Sequence, residues 1–512
     1  MASAKPVIIV GSGLAGLSAA HEALRAGARV HLLERAAKPG GNSIKASSGI
    51  NGAGTRFQKA AGVEVDDKFY DDTVRSAGQR FRQAQAQAAA KEKGDAEGNA
   101  NAINRTALID ALVSRSESAV HWLTDEIGVD LSVVAPLGGH SLPRTHRGAG
   151  QTPPGMAIVS TLLKQLSANP NFQLSTSATV ESLAVDEAAK AVVGLTYNVA
   201  VAGNDGTATT TTTTQHELEG PVVFAAGGFA GDANGLLAKH RPDLAGIPST
   251  NDPRPASHGL LERAGAQFVD MDSVQVHPTG FVDPKDPYAT YKFLAAEVLR
   301  GEGGILLAGG EDEEGGGRRF VNEMETREVV SKAIMETLSP SNNNNGVTAT
   351  TTRQWDVTLL LDPGACEATA GHLGFYLFKG LMEKKKVKDL RPREIEAVDR
   401  YAAAVASGTD ADFGRRNFGR WRLPPGEANR EEEVCVGKVT PITHFTMGGA
   451  AFNERAQVLG RGLAPIKGLW AAGEVTGGIH GDNRLGGSSL LECVVFGRIA
   501  GAEAAKAAVA QE

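Results

Sequence analysis

Residues Val7 to Gly16 read VIIVGSGLAG, and no other stretch of the 512-residue chain limits its fold as tightly. The β-branched residues Val7, Ile8, Ile9 and Val10 predict a short strand buried on both faces of a parallel sheet. Gly11, Gly13 and Gly16 follow at G-x-G-x-x-G spacing, and Ala15, Leu17, Ala19 and Ala20 open a helix. Gly11 permits a tight turn, Gly13 lets backbone approach a pyrophosphate, and Gly16 lets helix and strand pack closely. The helix N-terminus then turns free N–H groups and a positive dipole end towards phosphate. A second strand, Arg29 to Leu33, ends at Glu34, whose carboxylate can accept from a ribose hydroxyl. The glycine spacing alone is a weak signal, but strand, turn, helix and acid in this order form a dinucleotide-binding signature.

The rest of the composition fits a globular enzyme of up to about three domains. Lys and Arg number 52 against 59 Asp and Glu, a net charge of −7 that argues against a nucleic-acid partner. Cys366, Cys435 and Cys493 are widely spaced, with no CxxC, so no metal site is expected and all three read as buried, reduced thiols. No apolar run reaches the roughly 18 residues of a membrane span. A first strand at residue 7 leaves no room for a signal peptide, so the expected compartment is the cytoplasm, or an organelle if a presequence was removed.

Along the chain, residues 38–54 (KPGGNSIKASSGINGAG) are small and polar and suit a segment laid along an extended cofactor. Residues 55–130 read mostly helical, with an exposed helix and loop around Gln83 to Ala102 and an apolar helical period over 107–127. Residues 131–155 read as loop, their His140, Arg144, His146 and Arg147 either facing an anion or solvated. Helix Met156 to Leu166 precedes strands at Gln173 to Val185, Val192 to Val201 and His216 to Phe224, with DGTATTTTTT as a hairpin tip. PVVFAAGGFAG (221–231) predicts another buried strand ending in small residues. Residues 309–317 and 339–352 read as surface insertions, 380–406 as a charged helical region with a solvated Lys384, Lys385, Lys386 face, and the chain beyond about 435 as short strands and glycine turns.

Several segments together are distinctive: GSGLAGLSAA, NSIKASSGING, VFAAGGFAG, VQVHPTG, AAEVLRGEGGILL, RRFVNEMETREVVS, HFTMGGA and AAGEVTGGIHGDNRLGGSSLLECVVFGRIAG. Over nearly the whole chain they resemble the soluble, haem-free, fungal-type fumarate reductases of the succinate dehydrogenase and fumarate reductase flavoprotein superfamily. The resemblance implies an α/β fold. A Rossmann-like FAD-binding domain (1–271 and 444–512) would carry an inserted α+β capping domain (272–443). It implies non-covalent FAD, since NSIKASSGING has no histidine, and contacts from Gly11, Gly13, Ala15, Gly16, Glu34, Arg35, Asn42, Ser43, Ser48, Gly49, Ile50, Asn51, Val180, Ala226, Gly227, Glu474, Ser489 and Leu490. It implies that His277, His444 and Arg484 bind a dicarboxylate. Arg327 would donate the proton, and Glu297 and Arg300 would deliver it. A monomer fed by reduced flavin or by a reductase is expected.

The chemistry is coherent. Planar guanidinium forks pair bidentately with carboxylates, so arginines suit a flat dianion. Arginine is a poor acid unless it is desolvated and reprotonated at once. Glu297 and Arg300 would share a helical face and suit a relay. Read without the resemblance, the same two residues are also an ordinary ion pair, Arg327 a solvated helix residue and His277 a core histidine. Two departures stand out: Ala296 where bacterial members carry a hydroxyl, and His258 in ASHG where the family carries an acid. Urocanate reductases and steroid dehydrogenases are the competing enzymes, and a non-catalytic flavin-binding protein is the alternative outside enzymes.

Overall fold

The computed structural model describes residues 5–92, 103–150, 152–202, 211–310, 316–340 and 352–509. Strand Val7–Val10 lies inside a nine-stranded sheet. Its parallel neighbours are Val30–Leu33 and Val222–Phe224, and beyond these lie Phe172–Ser175 and Pro465–Ala471. All four residues of Val7–Val10 are buried, as a strand covered on both faces requires. The turn after it closes with the Gly11 N–H donating to Leu33 O, and Gly11 sits at φ +104°, where a side chain would be strained. A Cβ on Gly16 would overlap the Gly11 carbonyl oxygen, so helix Leu14–Arg25 can start this close to the strand only with glycine there. Helix Ser488–Val509 packs across Leu14–Arg25 and shares its apolar core.

A second sheet is antiparallel throughout. Val274–Phe281 pairs with Glu433–Thr446, which pairs in turn with Val357–Leu361 and Glu383–Lys386, and Ile305–Ala308 closes the far edge. Its own core gathers Val274, Leu306, Leu359 and Val439 with the helix residues Val330, Ile334 and Tyr376. One cavity is lined both by Val10 and Ala225, at the carboxyl ends of parallel strands, and by His444 and Phe445 of the second sheet. The pairing of Val274–Phe281 with Glu433–Thr446 brings His277 and His444 together.

Several local expectations are corrected. Arg144 is fully buried, with its guanidinium held by Asp66 (2.8 Å) and Asp72 (2.6 Å), so it neither awaits an anion nor faces water. Its neighbours form a strand, Thr145–Arg147, in place of a loop. Glu383–Lys386 is a strand, a short 3-10 turn follows at Val387–Asp389, and α-helix begins only at Pro392. Its lysines are solvated, with Lys384 on Glu433 and Lys386 on Glu431. The chain beyond 433 opens with a single strand of 14 residues. The last threonines of the low-complexity run belong to strand Thr211–Glu219, opposite Val199–Ala202, while 203–210 lie outside the described residues, as do 93–102, most of 309–317 and 341–351.

Candidate active site

A cavity of about 830 Å³ runs along the carboxyl ends of the parallel strands, where open α/β sheets bind ligands. One end is built from backbone. Gly11, Gly13 and Ala15 line it at the start of the first helix, where Ser43 Oγ accepts from the Leu14 N–H. Glu34 lines it too; its carboxylate accepts from the Ser12 N–H (3.0 Å), the Ser12 hydroxyl and the Ala36 N–H, which fixes its orientation. Arg35, Asn42, Ser43, Ser48, Gly49, Val180, Ala226, Gly227, Glu474, Ser489 and Leu490 all lie on the wall.

Gly16, Ile50 and Asn51 do not line the cavity. Gly16 acts behind the turn. Ile50 is core. Asn51 is tied by three side-chain hydrogen bonds, donating to Gly486 O and Ser488 Oγ and accepting from Thr145 Oγ1, so it braces the turn into the helix that carries Ser489.

The other end is built from side chains of distant segments. Arg327, His444 and Arg484 line the cavity, with His277 and Glu297 behind them. Gln275 joins the two arginines: its Oε1 accepts from Arg484 Nη2 at 2.9 Å and from Arg327 Nη1 at 3.2 Å. Its amide N–H groups donate to Asn483 Oδ1 and Arg484 O, which fixes the amide the right way round. The residue was missed because a strand glutamine carries no signal of its own. Its place two residues before His277, on the same face of the strand, was the available clue.

The two imidazoles are 5.5 Å apart, edge to face. Burial, then the neighbouring Arg327, holds both well below the usual imidazole range, so both are neutral. His277 Nδ1 accepts from the Thr279 N–H, which leaves its proton on Nε2; His444 Nε2 lies 3.3 Å from Arg484 Nη2 and accepts from it, which leaves its proton on Nδ1. Both protonated nitrogens, and Arg484 Nε, are buried without a partner. Buried donors left unpaired are costly, and together they suit a ligand rich in acceptors. Burial, reinforced by Arg327, lowers Arg484 to about 9, and its guanidinium stacks 4.3 Å over the Phe445 ring.

Glu297 pairs with Arg327 at 2.6 Å, not with Arg300. Burial alone would raise its carboxyl, but Arg327 and Arg300, with a hydrogen bond from the Gly138 N–H, bring it down to about 2. The helix expected to carry both residues is a single turn, Val298–Gly301, with Glu297 at its N-cap. Arg300 is fully buried, donates from Nη1 to Glu323 O at 2.6 Å and leaves Nε and Nη2 unpartnered. Burial also raises Glu474 to about 7, against a hydrogen bond from the Thr446 N–H. Ala296 donates its N–H to the Tyr376 hydroxyl, and His258 is buried beside Phe229 without a hydrogen bond.

The FAD binding domain family model matches residues 6–490. This chain belongs to that family. Its relatives include Fumarate reductase 1 of Saccharomyces cerevisiae, 38% identical over 97% of this chain and 98% of that protein. Fumarate reductase (cytochrome) of Shewanella frigidimarina is 32% identical over 98% of this chain and 77% of its own length. Among solved structures, the open conformation of a flavocytochrome c3 fumarate reductase superposes with a TM-score of 0.70 at 29% identity, covering 99% of this chain and 78% of that one. The family's cofactor fits the backbone-built end. The Leu14–Arg25 helix presents its N-terminus there, and Gly227 is open, since a Cβ on it would meet nothing within 4 Å.

Proposed function

We propose that this protein reduces fumarate to succinate. One observation carries the reading: two arginines and two neutral imidazoles converge at the inner end of the cavity with three buried donor groups unpaired. A four-carbon dicarboxylate supplies acceptors at both ends. FAD, when bound, supplies the hydride that reduces the double bond. Gly11, Gly13, Ala15, Glu34, Arg35, Asn42, Ser43, Ser48, Gly49, Val180, Ala226, Gly227, Glu474, Ser489 and Leu490 would hold it without a covalent link.

Arg484, His444 and His277 bind and orient the carboxylates, and Gln275 keeps the two guanidiniums apart at fixed spacing. Arg327 gives a proton to the carbon next to the one reduced. Its ion pair with Glu297 makes that workable. Arg327 is the first of the groups that lower the Glu297 carboxyl, so when Arg327 gives up its charge the proton affinity of Glu297 rises. Glu297 can then receive a proton and return it, with Arg300 behind it. Residues 272–443 act as the capping unit that excludes water, and a small diffusible reductant such as reduced flavin supplies the electrons. Among the described residues no helix is long and apolar enough to cross a membrane. We place the protein in the cytoplasm, or in an organelle if a presequence was removed, acting as a monomer.

The test is a single turnover. Anaerobically reduced enzyme is mixed with fumarate and flavin reoxidation is followed. Wild type reoxidises quickly, and Arg327→Ala is slower by about 10³-fold, the usual loss for a general acid. A mutant that keeps the wild-type rate removes Arg327 from the mechanism.

A further inference from the structure

The capping sheet holds two thiols that the proposed reaction does not use. Cys435 lies on strand Glu433–Thr446 directly opposite Leu361 of the neighbouring antiparallel strand. Cys366 lies on the helix that follows, Pro363–Ala368, and its Sγ sits 3.7 Å from that same Leu361 carbonyl oxygen. The two cysteines therefore share Leu361 as a neighbour at the end of one strand, and both pack in one apolar cluster. Their exposure differs. Cys435 is buried and Cys366 is half-exposed, so an oxidant can reach the pair from one side. The third cysteine, Cys493, is buried beside the dinucleotide turn and takes no part.

We propose that Cys366 and Cys435 are a dithiol that closes to an intramolecular disulfide under peroxide. In the first step the thiolate of one cysteine attacks hydrogen peroxide, giving a sulfenic acid and hydroxide. In the second, the other thiol displaces the sulfenic oxygen. The S–S bond forms, two S–H bonds are lost, and one peroxide becomes two waters. The surroundings favour the first step. Lys384 stands directly opposite Cys435 on the edge strand and places a cation beside the pair, which favours a thiolate.

The bond would tie the start of the Cys366 helical segment to the strand that carries His444. Helix Ala370–Lys379, immediately after that segment, contributes Gly371, His372, Phe375 and Tyr376 to the cavity wall. Closure would therefore pin one wall of the cavity mouth.

The experiment uses full-length FAD-loaded protein treated with hydrogen peroxide, then unfolded and titrated for free thiols, with peptide mapping after alkylation. The proposal expects free thiols to fall from three to one, with a linked Cys366–Cys435 peptide, free Cys493, and full recovery with dithiothreitol. Cys366→Ser, at the half-exposed position, loses the linked peptide. Oxygenated Cys366 with no linked peptide, a bond between two chains, or three unreacted thiols would each overturn it.

Discussion

The two ends of the cavity are built by opposite strategies. The dinucleotide end is local and made of backbone: strand, glycine turn and helix within residues 7–25, with Glu34 a few residues on. What it needs is space, and glycine provides it. The inner end is made of side chains drawn from residues 275, 277, 297, 327, 444 and 484, and what it needs is charge held without water. A ligand bound by backbone N–H groups and a helix dipole is recognised by shape and phosphate. A small dianion has little shape, so it must be recognised by donors whose geometry is fixed in advance. The first end tolerates little added volume, and the second tolerates little lost polarity.

That contrast can be broken most forcefully at Gln275. Gln275→Leu keeps the volume but removes the acceptor shared by Arg327 and Arg484. A loss of about 10²-fold in kcat/KM is expected, with FAD content unchanged, because two reacting groups lose their alignment. Equal loss of FAD would mean the two ends are not separable. Next comes Gly16→Ala, where the added methyl overlaps the Gly11 carbonyl. FAD affinity should fall by about tenfold or more, as overpacking of 1–3 kcal/mol implies. Flavin absorbance of the purified protein reads this directly.

A smaller effect is expected from pH. His140, His146 and His258 are lowered to about 4 by burial, and His277 and His444 lie well below 6.5. Below pH 6.5 the unfolded chain binds protons at these sites and the folded chain does not, so stability is lost as pH falls from 6.5 towards 4. Glu474, raised to about 7, works the other way between 4.5 and 7, but it is one group against five. The apoprotein Tm should therefore fall between pH 7 and pH 5, and a rise would show that the imidazoles are charged in the fold. The smallest effect on the cavity is expected at Asn51. Asn51→Ala should cost about 1–3 kcal/mol of stability by unfastening a buried loop, while FAD content holds. Loss of FAD without loss of stability would return Asn51 to the cofactor contacts.

The same contrast explains what could be read from the sequence. The strand, the turn and Glu34 were legible because their causes lie within a few residues of one another. The family motifs pointed to Arg327, His444 and Arg484, which the fold brings to one wall. Partners were not legible. Glu297 pairs with Arg327, thirty residues away, because it sits at the N-cap of a single helical turn and its carboxylate meets Arg327 behind the cavity wall. Arg144 looked free because Asp66 and Asp72, which neutralise it, lie 78 and 72 residues earlier in the chain. Lys384 to Lys386 read as helix from their charge, but pairing with Glu433–Val436 makes them an edge strand, where lysines facing solvent guard against aggregation.

The most direct test of the central claim is what the reduced protein will reduce. Prereduced, oxygen-free enzyme is mixed separately with fumarate, its monomethyl ester and urocanate, and flavin absorbance is followed while products are identified by mass. The account predicts rapid reoxidation by fumarate with one succinate formed per flavin, and far slower reaction with the ester and with urocanate, each of which lacks one carboxylate. Flavin that stays reduced in fumarate but is reoxidised by either of the others would contradict it.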